Sequence, residues 1–313
     1  MPILIRGLRG LGDNVYQRPF VRASAAREPT WLDTPWPQLY HDLVADPSLQ
    51  LHLCYSGTPL RTQAKNAARQ SDSIWSKEPQ PRRCRSVQLI YLPRDFGAGR
   101  TICQTLDQLV PLQAQPFAFR LPIPDEWRHL AKPYLCHLPK PFALVRPPTV
   151  RREWRNEARN PDPAAFDAAV EVLRKRYAIA TVADLESGAE WLDGPPIREP
   201  IAAWCQGEVP LEVLCVLMQE AAVVLGGVGF IVPLGVAIGA RVFVIYGGNG
   251  GCNAPELILD RRMDTSRFGY AIPDSFCRCQ QHLHKCDKRI DAVRLRDELE
   301  TWISSSENFA TAA

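Results

Sequence analysis

The sequence predicts a protein of the α/β class, built as two successive domains with mainly parallel sheets. Short apolar runs alternate with stretches whose apolar residues have helical spacing, the pattern of parallel strands joined by helices. A glycine-bearing turn directly follows the first apolar run, and a new strand–helix series starts near residue 141. The 313 residues have room for two domains of ordinary size, which we place at 1–135 and 136–313.

The first half opens on an apolar strand, PILIRG, and a helix from Asp13 to about Ala26. TWLDTPWPQLYHDL then predicts a strand, a loop and a short helix. Two further short strands are predicted at LHLCY and VQLIYLP. The segment 121–140 is rich in proline and polar residues and is predicted to be a linker.

The second half repeats the alternation more clearly. After the strand in PFALVR, Asp162 before Pro163 is a typical helix start for the amphipathic stretch that follows. Three more strands (IATVADL, AVVLGG, RVFVIYGG) alternate with two helices (PLEVLCVLMQEA, VPLGVAIGA). This order is typical of a doubly wound sheet.

The composition excludes several classes of protein. Apolar residues at 46% and charged residues at 23% indicate a globular chain, and a net charge of +3 is too small to indicate nucleic-acid binding. No apolar run reaches the length of a membrane span, and Arg6 and Arg9 interrupt the first one, so no secretion signal is predicted. We therefore expect a cytoplasmic protein, in which ten cysteines are not a disulfide framework.

The turn after the first strand contains Gly7, Gly10 and Gly12 directly before Asp13. Glycines at a strand end indicate a tight bend or the close approach of a ligand. Their spacing differs from the G-x-G-x-x-G pattern of dinucleotide-binding proteins, which disfavours a nicotinamide enzyme.

Several stretches, in their order along the chain, resemble the heptosyltransferases of glycosyltransferase family 9. They are ILIRGLRGLGDNVYQRPFVRA, FALVRPPTVRREWRNEARNPDPAAF, QGEVPLEVLCVLMQEAAVVLGG, PLGVAIGARVFVIYGG and FCRCQQHLHKCDKRIDAV. The resemblance covers about 1–40 and 141–300. It implies the GT-B architecture: two Rossmann-like domains facing a cleft, with the acceptor bound by the first and a nucleotide-sugar donor by the second. It also allows the last helix to pack back on the N-terminal domain.

The resemblance further implies transfer of a sugar, a heptose or hexose, to an acceptor hydroxyl with inversion and without a catalytic metal. Asp13 matches the family's catalytic aspartate, which takes the proton of the acceptor hydroxyl. The alternative is that Asp13 only caps the following helix.

The candidate donor-binding residues lie in loops: the resemblance implies the loop with Thr149, Arg151 and Arg152, while the glycines are candidates from their own positions, with an ordinary mobile loop as the alternative at 246–253. The candidates are Gly12, Thr149, Arg151, Arg152, Gly226, Gly227, Gly229, Gly247 and Gly248. Guanidinium groups and open backbone amides suit a diphosphate, although a solvated basic loop and tight structural turns are the alternatives. The chain departs from the family at Val228 and Pro233, where an acid and a histidine are expected.

A cluster of cysteines and histidines lies in the C-terminal tail. Cys277, Cys279, His284 and Cys286 form a candidate structural zinc site, since thiolates and imidazoles are the usual ligands of tetrahedral zinc. Cys252 or His282 could also contribute, and free buried thiols are the alternative. A DNA-reading zinc finger is disfavoured because neither a second copy nor a basic helix accompanies the cluster.

The sequence leaves the substrates open. The acceptor could be a glycan or a modified nucleic acid base, and the sugar and the nucleotide are not predicted. Two rival functions remain: another sugar-nucleotide enzyme, such as a hydrolase or an epimerase, and a nucleotide-sugar-binding protein that has lost catalysis through its altered donor loop.

Overall fold

A computed structural model describes residues 1–310 of the chain. That part of the chain forms twelve β-strands and twelve α-helices. The strands are β1 (Ile3–Arg6), β2 (Thr30–Asp33), β3 (Leu51–Cys54), β4 (Arg85–Gln88), β5 (Phe142–Arg146), β6 (Thr149–Arg151), β7 (Ala178–Val182), β8 (Glu190–Leu192), β9 (Ala202–Trp204), β10 (Val223–Gly227), β11 (Val242–Ile245) and β12 (Phe268–Ala271). The helices are α1 (Leu11–Ala25), α2 (His41–Ala45), α3 (Arg61–Ala68), α4 (Pro93–Gly97), α5 (Ile102–Leu109), α6 (Asp125–Leu135), α7 (Pro163–Arg174), α8 (Leu211–Glu220), α9 (Ile231–Ile238), α10 (Gly250–Asn253), α11 (Pro255–Ile258) and α12 (Ala292–Ala310).

The chain divides into two compact units. Unit 1 comprises Met1–Pro122 and the later segment Pro255–Met263, and unit 2 comprises Ile123–Ala254 and the chain from Asp264 onward. The short return segment is fixed inside unit 1 by the Tyr16 hydroxyl, which donates to the carbonyl of Ile258 at 2.8 Å.

Unit 1 is built on a four-stranded parallel sheet in the order β3-β2-β1-β4. Because β1 lies second from one edge, its carboxyl end has neighbours on both sides. Helix α1 packs on this sheet through a buried face that includes Val15, Phe20 and Val21, as its apolar spacing predicts, and Pro19 is accommodated within it. Parallel sheets of this kind bind ligands outside the carboxyl ends of their strands.

Unit 2 is built on a six-stranded parallel sheet in the order β12-β11-β10-β5-β7-β9, with a separate antiparallel ribbon of β6 and β8. Its central strands β5, β7, β10 and β11 are almost entirely buried, as expected for a sheet covered by helices on both faces. The predicted start of α7 is confirmed: the Asp162 carboxylate accepts hydrogen bonds from the amides of Ala164 and Ala165.

The segment 121–140 differs from the predicted linker, because it contains helix α6. Although the segment is mostly polar, Trp127 and Ala131 lie one helical turn apart and are both buried. Asp125 and Glu126 lie in the first turn, where acidic residues favour a helix. The units divide between Pro122 and Ile123, before this helix, whereas we predicted a boundary after residue 135.

The last helix packs within unit 2, where Leu295, Leu299 and Ile303 are buried in the core with α7 and β12. Packing of this helix on the N-terminal domain, which the resemblance allows, stays a prediction. Among the described helices, none combines the length and the apolar character that a membrane crossing requires.

Candidate active site

The glycine turn of unit 1 leads from β1 into α1 and is fixed by two buried side chains of that helix. The Asn14 side-chain amide donates to the carbonyls of Leu8 and Gly10, at 2.6 and 2.9 Å, and the Gln17 side chain accepts from the Leu8 amide at 2.8 Å. Both residues are fully buried. The loop is therefore rigid, with its backbone groups satisfied by the helix that it precedes.

Asp13 lies in the first turn of α1, where a carboxylate favours the positive end of the helix dipole. The residue at the N-cap position is Gly10, not Asp13. A Cβ atom at Gly10 would overlap the Asp13 carboxylate, so a glycine is required for this approach. The hydroxyl of Tyr91, beyond the carboxyl end of the adjacent strand β4, donates to Asp13 Oδ1 at 2.5 Å.

A second charged group lies at the same edge of the sheet. Arg9 forms an ion pair with Asp33, at the end of β2, with 3.1 Å between Nη2 and Oδ2. Ser56, after β3, donates its amide and its hydroxyl to the same carboxylate at 3.0 and 2.6 Å. Asp33 is buried while 31% of the Arg9 side chain is exposed, so the guanidinium is held firmly at the surface of this edge.

In unit 2, a buried carboxylate organises the loop after β5. Glu190 Oε2 lies 2.7 Å from Arg151 Nε, and Glu190 Oε1 accepts the Thr149 hydroxyl at 2.7 Å. Arg146 Nη2 lies farther away, at 3.4 Å from Oε1. One carboxylate thus contacts two guanidinium groups at the carboxyl end of β5, and the charges of Asp184 and Arg159 also act on Arg146.

Arg146 lies beside the start of α9. Its guanidinium carbon is 5.2 Å from the centre of the Phe230 ring, and Phe230 immediately precedes that helix. Burial lowers the pKa of Arg146 to about 10, against the opposing effect of Glu190, and the side chain stays protonated at neutral pH. A cation and a helix N-terminus therefore lie together at one edge of the sheet.

The three glycines before α9, at positions 226, 227 and 229, differ in how much space surrounds them. A Cβ at Gly226 would lie 2.5 Å from the Ile231 side chain, and one at Gly227 would lie 3.0 Å from Pro161. A Cβ at Gly229 would meet nothing within 4 Å. Packing accounts for the first two glycines and does not account for the third.

The other predicted donor residues lie in different surroundings. Gly12 is the second residue of α1, in unit 1, and the Arg152 side chain is exposed beyond β6. Gly247 and Gly248 are buried against protein: Cβ atoms there would overlap the Asn160 carbonyl and the Cys286 side chain. Gly247 thus packs closely against the segment before α7, and Gly248 against the C-terminal tail.

The structure brings the four predicted metal-binding residues together. The ligand atoms of Cys277, Cys279, His284 and Cys286 all lie within 4.8 Å of one another. Cys279 Sγ and Cys286 Sγ are 3.5 Å apart, and His284 Nδ1 is 3.3 Å from Cys286 Sγ. A zinc–sulfur bond of about 2.3 Å gives a tetrahedron edge of about 3.8 Å, so the side chains present fit this ion.

Comparison with known structures finds extensive similarity of fold. ADP-heptose LPS heptosyltransferase II of E. coli aligns over 98% of this chain and 100% of its own, with a TM-score of 0.60 and 12% identity. A glycosyltransferase of family 9 from Veillonella parvula aligns over 97% of each chain, with a TM-score of 0.57 and 14% identity.

The chain has the fold of the heptosyltransferases. The iron-containing glycosyltransferase TibC of enterotoxigenic E. coli also aligns, over all of this chain and 80% of its own, with a TM-score of 0.58 and 12% identity. These alignments confirm the predicted α/β fold class and, at the level of fold, the resemblance to heptosyltransferases. No protein-family model matches the chain, and no curated protein sequence matches it.

Four residues at the carboxyl ends of the two sheets were not identified from the sequence as site residues. They are Arg9 and Tyr91 in unit 1, and Arg146 and Glu190 in unit 2. Arg146 ends a predicted strand and could have been identified from that position. The contacts of Tyr91 and Glu190 join segments 78 and 41 residues apart, which no local pattern indicates.

Proposed function

We propose that the protein is a glycosyltransferase that moves a sugar from a nucleotide-sugar donor to an acceptor hydroxyl with inversion, with Asp13 as the general base. The observation that carries the proposal is the Asp13 carboxylate, held at the carboxyl edge of the sheet in a heptosyltransferase fold. This edge is where parallel sheets bind ligands.

The proposed reaction is a single displacement. The acceptor oxygen attacks the anomeric carbon and forms the new glycosidic bond, while the bond from that carbon to the diphosphate breaks. The proton of the acceptor hydroxyl passes to Asp13, and the bonding pair leaves with the nucleoside diphosphate. The departing anion requires stabilisation by positive charge or aligned amides.

Unit 2 has groups suited to that anion. Arg146 and Arg151 place two guanidinium groups beside the carboxylate of Glu190. Guanidinium groups bind phosphate oxygens through paired, charge-assisted hydrogen bonds. The unhindered backbone at Gly229, at the start of α9, adds an amide that a phosphate could approach. We propose that these groups bind the diphosphate without the acid and the histidine that the family has where this chain has Val228 and Pro233.

The donor class follows from this chemistry and from the similar proteins. Heptosyltransferase II is described as acting with ADP-heptose, and another structure of TibC contains ADP-D-β-D-heptose. We therefore propose a nucleoside diphosphate sugar, with ADP-heptose and ADP-hexoses as the first compounds to test.

The test starts with donor binding and transfer. Purified protein is screened against a panel of nucleotide sugars by thermal shift, because a ligand that binds only the folded state raises its stability. Ligands that bind are then assayed for transfer to glycan acceptors. Asp13→Asn should abolish transfer and retain donor binding. Asp72→Asn, an exposed aspartate of the same unit, is the matched control and should retain both. Full transfer by Asp13→Asn would overturn the assigned base.

The same assays distinguish the proposed transferase from the two rival functions. A hydrolase or epimerase would release or convert the sugar in the absence of any acceptor. A binding protein without catalysis would bind a nucleotide sugar in calorimetry and produce nothing with any acceptor. Neither outcome is compatible with the proposed transferase.

We also propose that Cys277, Cys279, His284 and Cys286 hold a structural zinc ion. The set of three thiolates and one imidazole is typical of structural zinc sites. When bound, the ion would crosslink the tail and have no part in sugar transfer. Metal analysis of protein purified without added metals should find about one zinc per chain in the wild type and none in Cys279→Ser. Iron in place of zinc would contradict the assigned metal.

A further inference from the structure

Tyr91 and Asp13 form a contact across two neighbouring strands of unit 1. Asp13 lies in the first turn after β1, and Tyr91 lies three residues beyond the end of β4. The phenol oxygen of Tyr91 is 2.5 Å from Asp13 Oδ1. This is at the short end of the range for a hydroxyl that donates to a charged carboxylate, and such bonds are about twice as strong as neutral ones.

The segment that carries Tyr91 is itself fixed. Its ring packs edge-on against Phe96, with centroids 5.5 Å apart. The following helix, α4, is anchored by Asp95, which accepts from the Leu92 amide at 2.8 Å and from the Arg100 guanidinium at 2.5 Å. The phenol therefore has a defined position from which to orient a carboxylate.

We infer that Tyr91 is a positioning residue for the proposed general base: its hydroxyl fixes the rotation of the Asp13 carboxylate and stabilises the charged form that accepts the acceptor's proton. The inference rests on the proposed function. The phenol keeps its own proton throughout, and the transferred proton comes from the acceptor hydroxyl and ends on Asp13. Tyr91 touches the base and is not itself required to touch either substrate.

The first experiment is Tyr91→Phe, which keeps the ring against Phe96 and removes only the hydroxyl. We expect kcat to fall about tenfold, because the Asp13 carboxylate is no longer held in the orientation that accepts the proton, with the KM for the donor unchanged. The acidic limb of the pH–rate profile should move up by about one pH unit, because the carboxylate loses a donor that stabilises its charged form. Tyr134→Phe, on α6 of unit 2, is the matched control and should change none of these values.

A second readout does not depend on activity. In protein labelled with 13C-aspartate, the signal missing from Asp13→Asn identifies the Asp13 carboxyl carbon. That carbon should titrate at higher pH in Tyr91→Phe than in the wild type. Fluorinated tyrosine at position 91, a more acidic donor, should move the titration to lower pH, and this variant serves if Tyr91→Phe does not fold.

The outcomes separate the two proposals. If the wild type transfers no sugar from any donor, the proposed function fails, and the titration alone decides whether Tyr91 controls the charge of Asp13. If the wild type is active but Tyr91→Phe changes neither the pH profile nor the titration, the positioning role is overturned while the proposed function stands. A change in KM alone, with the same pH profile, also overturns it.

Discussion

The guanidinium of Arg146 packs 5.2 Å from the centre of the Phe230 ring, so the end of β5 and the start of α9 are joined by a cation–π contact. The hydrogen-bonding contacts of Arg146 are all long, between 3.3 and 3.5 Å, whereas Glu190 makes two contacts of 2.7 Å with Thr149 and Arg151. Arg146 is therefore positioned more by its packing on Phe230 than by short hydrogen bonds.

This arrangement predicts that Arg146→Gln weakens donor binding about tenfold or more, since a hydrogen bond to a charged group contributes about 1.5–3 kcal/mol. Isothermal titration calorimetry with the nucleotide sugar identified by thermal shift measures the effect. Arg198→Gln, an exposed arginine of the same unit, is the control and should bind as the wild type does. Equal affinities in the two variants would remove Arg146 from the donor site.

Glu190 is predicted to be a structural requirement of unit 2. Glu190→Gln leaves two partly buried guanidinium groups without their counter-charge, and loss of one partner of a buried ion pair costs about 3–5 kcal/mol. Urea unfolding should show a loss of about 3 kcal/mol. Glu171→Gln, whose ion pairs are exposed, should lose less than about 1 kcal/mol. Similar losses in both variants would contradict this role.

The proposed zinc site in the C-terminal tail is predicted to depend on a glycine far from it in sequence. A Cβ at Gly248 would overlap the Cys286 side chain, so Gly248→Ala should displace one ligand and reduce bound zinc, as measured by metal analysis. Gly229→Ala adds the same methyl group in open space and should keep both the metal and the free energy of unfolding, within about 0.5 kcal/mol. Full zinc occupancy in Gly248→Ala would contradict this prediction, because Cys286 could then move to make room for the added methyl group and still bind the ion.

Asp95, which fixes the segment that follows Tyr91, predicts that the stability of the protein depends on pH. The hydrogen bond from Arg100 lowers the pKa of Asp95 below its unfolded value of about 3.9. A lowered folded pKa means that the stabilisation is fully present above pH 5 and is lost as the pH falls through the folded pKa. The difference in the free energy of unfolding between the wild type and Asp95→Asn should therefore shrink between pH 5 and pH 2. A constant difference across this range would contradict the assigned ion pair.

A good part of the fold could be predicted from the sequence, because its signals are local. The strand–helix alternation, the start of α7 at Asp162 and the grouping of Cys277, Cys279, His284 and Cys286 each depend on residues close together in the chain. Helix α6 was not predicted, because its local signal is weak. Prolines and charged residues dominate this segment, and only two residues of the helix are buried.

What the amino-acid sequence by itself determined is the α/β class and the residues that could do chemistry, among them Asp13 and the cysteines and histidine of the tail. Only the tertiary structure decided which partners these residues have. Tyr91 reaches Asp13 because β1 and β4 are neighbours in a parallel sheet, and Glu190 meets Arg151 because β6 and β8 pair. Such contacts depend on strand order and register, which arise when the whole sheet buries its apolar surface and are not encoded in any one segment.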